Sequence, residues 1–200
     1  MASSLPFFVL GYHGCDRTVG EKILANHEKM DPSKNDYDWL GNGIYFWENN
    51  YLRALEYAES IKKSPHKGRT KITHPFVLGA IIDLGYCLNL LDTQHLQIIK
   101  EGYELLKQTC EATGREMPRN KKPLGEERDL LLRHLDCAVV EAVHSYNMDT
   151  KKPEFDTIRG VFVEGEPLYE NSGFHSKNHI QICVRNYECI RGFFRPISET

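Results

Sequence analysis

Two hundred residues, 40% hydrophobic and 26% charged with a formal net charge of −3, suit one globular domain with a sizeable core. That balance excludes a disordered chain and a fibrous repeat. The apolar run Phe7 to Leu10 is too short to span a bilayer and follows no basic segment, so neither a membrane span nor a secretory signal is expected.

In chain order, Pro6 to Gly11 reads as a buried strand, apolar and ending in glycine. Thr18 is the expected N-cap of a first helix, with Glu21 completing a capping box and Ile23 and Leu24 supplying an apolar face. Asp31 to Asp38 is a polar loop, Gly43 to Trp47 a short strand, and Leu52 to Ile61 a helix with apolar residues near one face. Phe76 to Asp83 is a continuous apolar run suited to a strand buried on both faces. Leu96 to Cys110 and Leu130 to Val143 carry helical periodicity, separated by a linker from Gly114 to Gly125. Ile158 to Val163, Ile180 to Asn186 and Ile190 to Phe194 read as strands, the last two joined by a tight turn. The outline is α+β, with a helical insertion over about 88–147 inside a single domain spanning 1–200.

Six cysteines (Cys15, Cys87, Cys110, Cys137, Cys183 and Cys189) contain no Cys-x-x-Cys pair. Free thiols in a reducing compartment, the cytoplasm, are expected rather than a disulfide framework or a zinc site. His175 and His179 are four apart but lie on a loop, and no cysteine or carboxylate completes a metal set at regular spacing, so no metal is expected. Basic residues gather at Lys62 to Lys71 and at Arg115 to Arg128. They are either solvated loops or contacts for the phosphates of a cofactor or a nucleic acid.

Three segments place unusual polar residues on strands: Gly11-Tyr12-His13-Gly14-Cys15, Gly41-Asn42-Gly43-Ile44-Tyr45-Phe46 with a following helix carrying Ala54 and Tyr57, and His179-Ile180-Gln181-Ile182-Cys183-Val184. In this order they resemble the diphtheria-toxin-like branch of the ADP-ribosyltransferases, which includes the poly(ADP-ribose) polymerases. The resemblance covers roughly the first sixty and last forty residues, and its hallmark is a His–Tyr–Glu triad. It implies a split β-sheet core with NAD as substrate and His13, Tyr45 and Gln181 in the three triad places. It also implies that His13 bonds the adenosine ribose, that the Gly14 backbone faces the nicotinamide carboxamide, and that Tyr45 and Tyr57 cover the two faces of the nicotinamide ring.

The departures shape the expected activity. Gln181 stands where the polymerases carry glutamate, so it supplies no charge to a ribosyl oxocarbenium ion and no general base. Chain building is therefore not expected, and mono-ADP-ribosyl transfer is. Ala54 stands where relatives carry a serine that bonds the carboxamide. On the loop Glu164 to Asn178, Glu164 and Glu166 are the candidate substitute carboxylates. The expected acceptor is a macromolecule, protein or nucleic acid, and the basic stretches tilt the choice toward RNA or DNA. Small domains of this family act as toxins or phage-defence effectors, sometimes held by an antitoxin or other regulator. Two alternatives stay open: a catalytically silent module that binds NAD, ADP-ribose or a partner protein, and an NAD glycohydrolase.

Overall fold

The structure, a computed structural model, describes residues 8–63, 71–123 and 129–197. Pro6 and Phe7, Lys67 and Arg69 of the first basic stretch, and Gly125 and Arg128 of the second lie outside these residues. The architecture is mixed α+β: among the described residues, one seven-stranded sheet with four α-helices. In chain order the elements are β1 (Phe8–Asp16), α1 (Arg17–Leu24), β2 (Ile44–Glu48), α2 (Tyr51–Lys63), β3 (Pro75–Asp83), β4 (Cys87–Asn89), α3 (Thr93–Thr113), α4 (His134–Asp149), β5 (Thr157–Phe162), β6 (His179–Val184) and β7 (Ile190–Phe194). The sheet runs β4-β5-β6-β2-β1-β3-β7.

Several expected boundaries move, each for a tertiary reason. β1 does not stop at Gly11 but continues to Asp16, because β3 offers it an antiparallel partner at every position from Phe8 to Asp16. The N-cap of α1 is Asp16 rather than Thr18; the Thr18 N–H donates to Asp16 Oδ1 at 2.9 Å. Asp16 also accepts from the Thr73 and His74 N–H groups, a triple engagement a threonine hydroxyl cannot match. α4 starts at His134, not Leu130, because Leu132 and Lys121 pair as an isolated bridge and the Arg133 N–H donates to the Tyr37 carbonyl. β4 has three residues, too few for a periodic signal, and pairs parallel to β5.

The last two strands are the main topological surprise. A tight turn between them reads as a hairpin, yet β6 pairs with β2 and β5 while β7 pairs with β3 at the opposite edge. A 3-10 turn over Tyr187–Cys189, capped by the Asn186 side chain, diverts the chain. Cys189 is then buried in the α1-side core, with Tyr187 and Ile190 packed against it.

Strand alternation divides the burial. On one face Phe46, Leu78, Ile82, Ile182 and Val184 form a core with Ile23 of α1. On the other face are smaller clusters. Trp47 and Val77 pack with Ala54 of α2, and Ile158 and Cys183 pack with Val140 and Val143 of α4. α4 thus covers the sheet directly, filling with α3 the segment between β4 and β5.

One gap in the hydrogen-bonded sheet positions the site. β1 pairs with β2 at only two positions, Gly11↔Glu48 and Tyr12↔Trp47. Beyond Tyr12 the two strands part, and the β2-facing edge of His13 to Asp16 has no strand partner. A strand edge left open in this way offers backbone N–H and C=O groups to whatever enters.

Candidate active site

The gap opens into a cleft of about 1040 Å³, at the upper end of the range for ligand sites. His13, Gly14, Tyr45, Tyr57 and Gln181 all line it. They come from β1, β2, α2 and β6, and their convergence places all five expected site residues on one concavity.

His13 spans the opened strands. Its Nδ1 lies 2.8 Å from the Tyr45 carbonyl oxygen. A carbonyl only accepts, so Nδ1 carries the proton and Nε2 keeps a lone pair. Burial lowers the imidazole pKa, the hydrogen bond to Tyr45 opposing it, and the neutral ring is the form present at pH 7. His13 is therefore suited to accept a hydrogen bond from a ligand hydroxyl.

Gly14 is required by packing. A Cβ there would meet the Ala54 carbonyl oxygen at 2.1 Å, with Ala58 behind it, so α2 lies directly on the β1 backbone. Ala54 itself is fully buried against Trp47 and Val77 and contributes no side chain to the cleft lining. Gly14→Ala is expected to push α2 outward and cost about 1–3 kcal/mol, read as a lower urea midpoint with unchanged slope.

Tyr45 has its hydroxyl committed. It donates to the Gly41 carbonyl at 2.7 Å and accepts from the Leu40 N–H at 3.0 Å. Burial pushes its pKa well above 10, so the phenol stays un-ionised, and the half-buried ring is what it presents. The Gly41-Asn42-Gly43 turn is fastened from two sides. Gly41 takes φ +76°, where a side chain would meet Glu141 and Val140. Glu141 accepts from the Asn42 N–H at 2.8 Å, and Arg185 donates to the Asn42 carbonyl at 3.0 Å while pairing with Glu141 at 2.6 Å.

Gln181 faces the cleft on β6 with Trp39 beside it; the Trp39 indole N–H donates to Gln181 Oε1 at 2.7 Å. The structure also separates the two candidate carboxylates. Glu164 lines the cleft, with a side chain 15% exposed, and pairs with Arg53 at 3.2 Å and Lys177 at 3.7 Å. Glu166 is exposed and does not line the cleft. His175 is not a cleft residue either; its Nδ1 donates to the Gly165 carbonyl at 2.8 Å. His179 does line the cleft, stacked on Phe162 at 5.4 Å, and burial lowers its pKa to about 4. Trp39, Arg53, Glu141, Arg185 and the cleft role of His179 escaped sequence reasoning, because each acts through partners distant along the chain.

The thiols carry no nucleophile. All six cysteines are free and buried. Burial pushes Cys15 up to about 12 and Cys183 higher still, leaving no thiolate at neutral pH. Among the described residues no three His, Cys, Asp or Glu side chains stand together as a metal site. Two residues of the second basic stretch, Arg119 and Lys121, border with Lys34 a smaller concavity of about 560 Å³ apart from the cleft. The loop around Lys34 separates the two hollows, with Ser33, Tyr37 and Trp39 on the cleft side. No helix among the described residues is long and apolar enough to cross a membrane.

Comparison with known proteins adds one relative. The chain is 25% identical over 203 residues to the uncharacterized protein MJ0359 of Methanocaldococcus jannaschii, spanning 90% of this chain and 83% of that protein. No family model matches the chain. No solved structure matches it.

Proposed function

We propose that this chain is a mono-ADP-ribosyltransferase with an ADP-ribosyltransferase-like split sheet, binding NAD in the cleft between β1 and β2 and passing ADP-ribose to a macromolecular acceptor. The observation that carries this reading is the convergence of His13, Gly14, Tyr45, Tyr57 and Gln181 on one cleft where the β1–β2 ladder stops. Residues that separate motifs single out, on β1, β2, α2 and β6, thus share one hollow, and that supports the reading.

The chemistry follows from the groups present. The C1′–N bond of the nicotinamide ribose breaks, its electron pair leaves with nicotinamide, and an oxocarbenium ion remains. The acceptor's nucleophile then bonds C1′ and gives up its proton. His13 Nε2 accepts from a ribose hydroxyl, the open β1 edge at Gly14 offers backbone groups to the carboxamide, and the aromatic rings of Tyr45 and Tyr57 bound the nicotinamide. Holding these parts in place is itself a large share of catalysis. Glu164, the one of the two candidate substitutes that lines the cleft, is the carboxylate assigned to the acceptor's proton, since Gln181 carries no charge. The acceptor is a protein or a nucleic acid. The Arg119–Lys121 rim, beyond the loop that walls the cleft, is a surface for phosphates of the latter.

Calorimetric titration with NAD tests the binding half of this reading. Saturable binding is expected, with affinity falling at least fivefold in His13→Ala through the lost hydrogen bond. Absence of NAD binding by the folded, unmodified protein would overturn it.

A further inference from the structure

We infer that Trp39 is a positioning residue that sets the polarity of the third site position, turning the Gln181 carbonyl aside so that the Gln181 amide N–H₂ is what the cleft offers to a ligand hydroxyl. The inference rests on the NAD reading above and deepens it. It names the atom by which the site distinguishes a ribose from its deoxy counterpart.

An indole N–H can only donate, so the Gln181 atom 2.7 Å away must be the amide oxygen. The amide is planar, which places N–H₂ on the other arm. Among the described residues the Gln181 side chain makes no other protein hydrogen bond, and Gln181 lines the cleft. Trp39 is held in turn. Its ring meets Phe162 edge-on at 5.1 Å. Gly160 is the β5 residue directly opposite Gln181, and a Cβ there would lie 2.8 Å from the Trp39 ring. The bare Gly160 backbone therefore makes the space from which Trp39 reaches Gln181.

The consequence is chemical. A glutamate at 181 would accept the same indole hydrogen bond and present a second oxygen, an acceptor, to the ligand. Glutamine under the same constraint presents a donor. A ribose hydroxyl then accepts from Gln181 and keeps its own proton for another partner. Without the indole, the amide is free to turn end for end; either end can meet a hydroxyl, but ordering the freed side chain offsets most of what that hydrogen bond contributes.

The test compares NAD with its analogue lacking the 2′-hydroxyl on the nicotinamide ribose, titrated by calorimetry into the unmodified protein and Trp39→Phe. The unmodified protein is expected to prefer NAD by about fivefold, the worth of one hydrogen bond. Trp39→Phe is expected to lose most of that preference while its affinity for the analogue stays within about twofold. A merely structural role for Trp39 would weaken both nucleotides in parallel, and that result, or an undiminished preference, would overturn the inference. The Trp39 indole N–H resonance gives a second readout that needs no change at Trp39. It should move upfield in Gln181→Ala, and an unmoved resonance would overturn the assignment. Failure of the unmodified protein to bind either nucleotide would remove the NAD reading and this inference with it. Equal binding of both would remove this inference alone.

Discussion

Glu48→Ala should lower the unfolding free energy by about 3–5 kcal/mol, the cost of leaving a buried charge without its partner. Glu48 and Arg159 are each 11% exposed and joined by two hydrogen bonds, Nε to Oε2 at 2.5 Å and Nη2 to Oε1 at 2.8 Å. Arg159 also donates to Asn89 at 3.2 Å. Glu48 ends β2, the strand of Tyr45, and Arg159 lies on β5, so the pair reaches across β6, the strand of Gln181, and ties β2 to β5. Urea unfolding measures the loss. Glu48→Gln keeps the shape and one acceptor oxygen and is expected to lose less. A change below about 1 kcal/mol in Glu48→Ala would mean that the pair is solvated, as exposed pairs are.

Acidification from pH 6.5 to about 4 should also destabilise the protein steeply, driven by buried histidines, His144 and His179 foremost among them. His144 is 3% exposed and, among the described residues, both its ring nitrogens lack a hydrogen-bond partner; His179 is 6% exposed and its Nε2 lacks one there too. Burial lowers each to about 4, with the neighbouring Arg185 adding to the effect at His144. The sign follows from where protons bind. Below pH 6.5 the unfolded chain takes them up while the folded chain refuses them, so stability is complete above 6.5 and falls as pH drops toward 4. At about 1.4 kcal/mol per unit of pKa, each histidine accounts for at most about 3 kcal/mol. His144→Leu removes one titration from an apolar site beside Phe155, so its melting temperature should fall less over this range. Equal pH slopes in the two proteins would show that His144 is not a source of the acid sensitivity.

The sequence made the repetitive parts of this fold readable and left the long-range ones dark. Local apolar pattern located α2, α3, β3 and β7 to within three residues, the helices by a repeating apolar face and β3 by a continuous apolar run. β4 was invisible at three residues, and the separation of β6 from β7 depended on a partner strand more than a hundred residues away. The same division holds in the cleft. His13, Gly14, Tyr45 and Gln181 sit in compact motifs on strands, so a family resemblance exposes them. Trp39 meets Gln181 across 142 positions, Arg53 meets Glu164 across 111, and Glu141 meets Asn42 across 99. No local pattern encodes such pairings; only the folded sheet brings them together.

Incubating the purified protein with labelled NAD and a whole-cell extract tests the central claim most directly. Nicotinamide release and label in separated protein, RNA and DNA fractions are followed beside Tyr45→Ala and Gln181→Ala. Nicotinamide release with label confined to one macromolecular fraction, and lost in Tyr45→Ala, is the expected result. Release without labelling would reassign the cleft to NAD hydrolysis. Neither signal from the folded protein would contradict the transferase account.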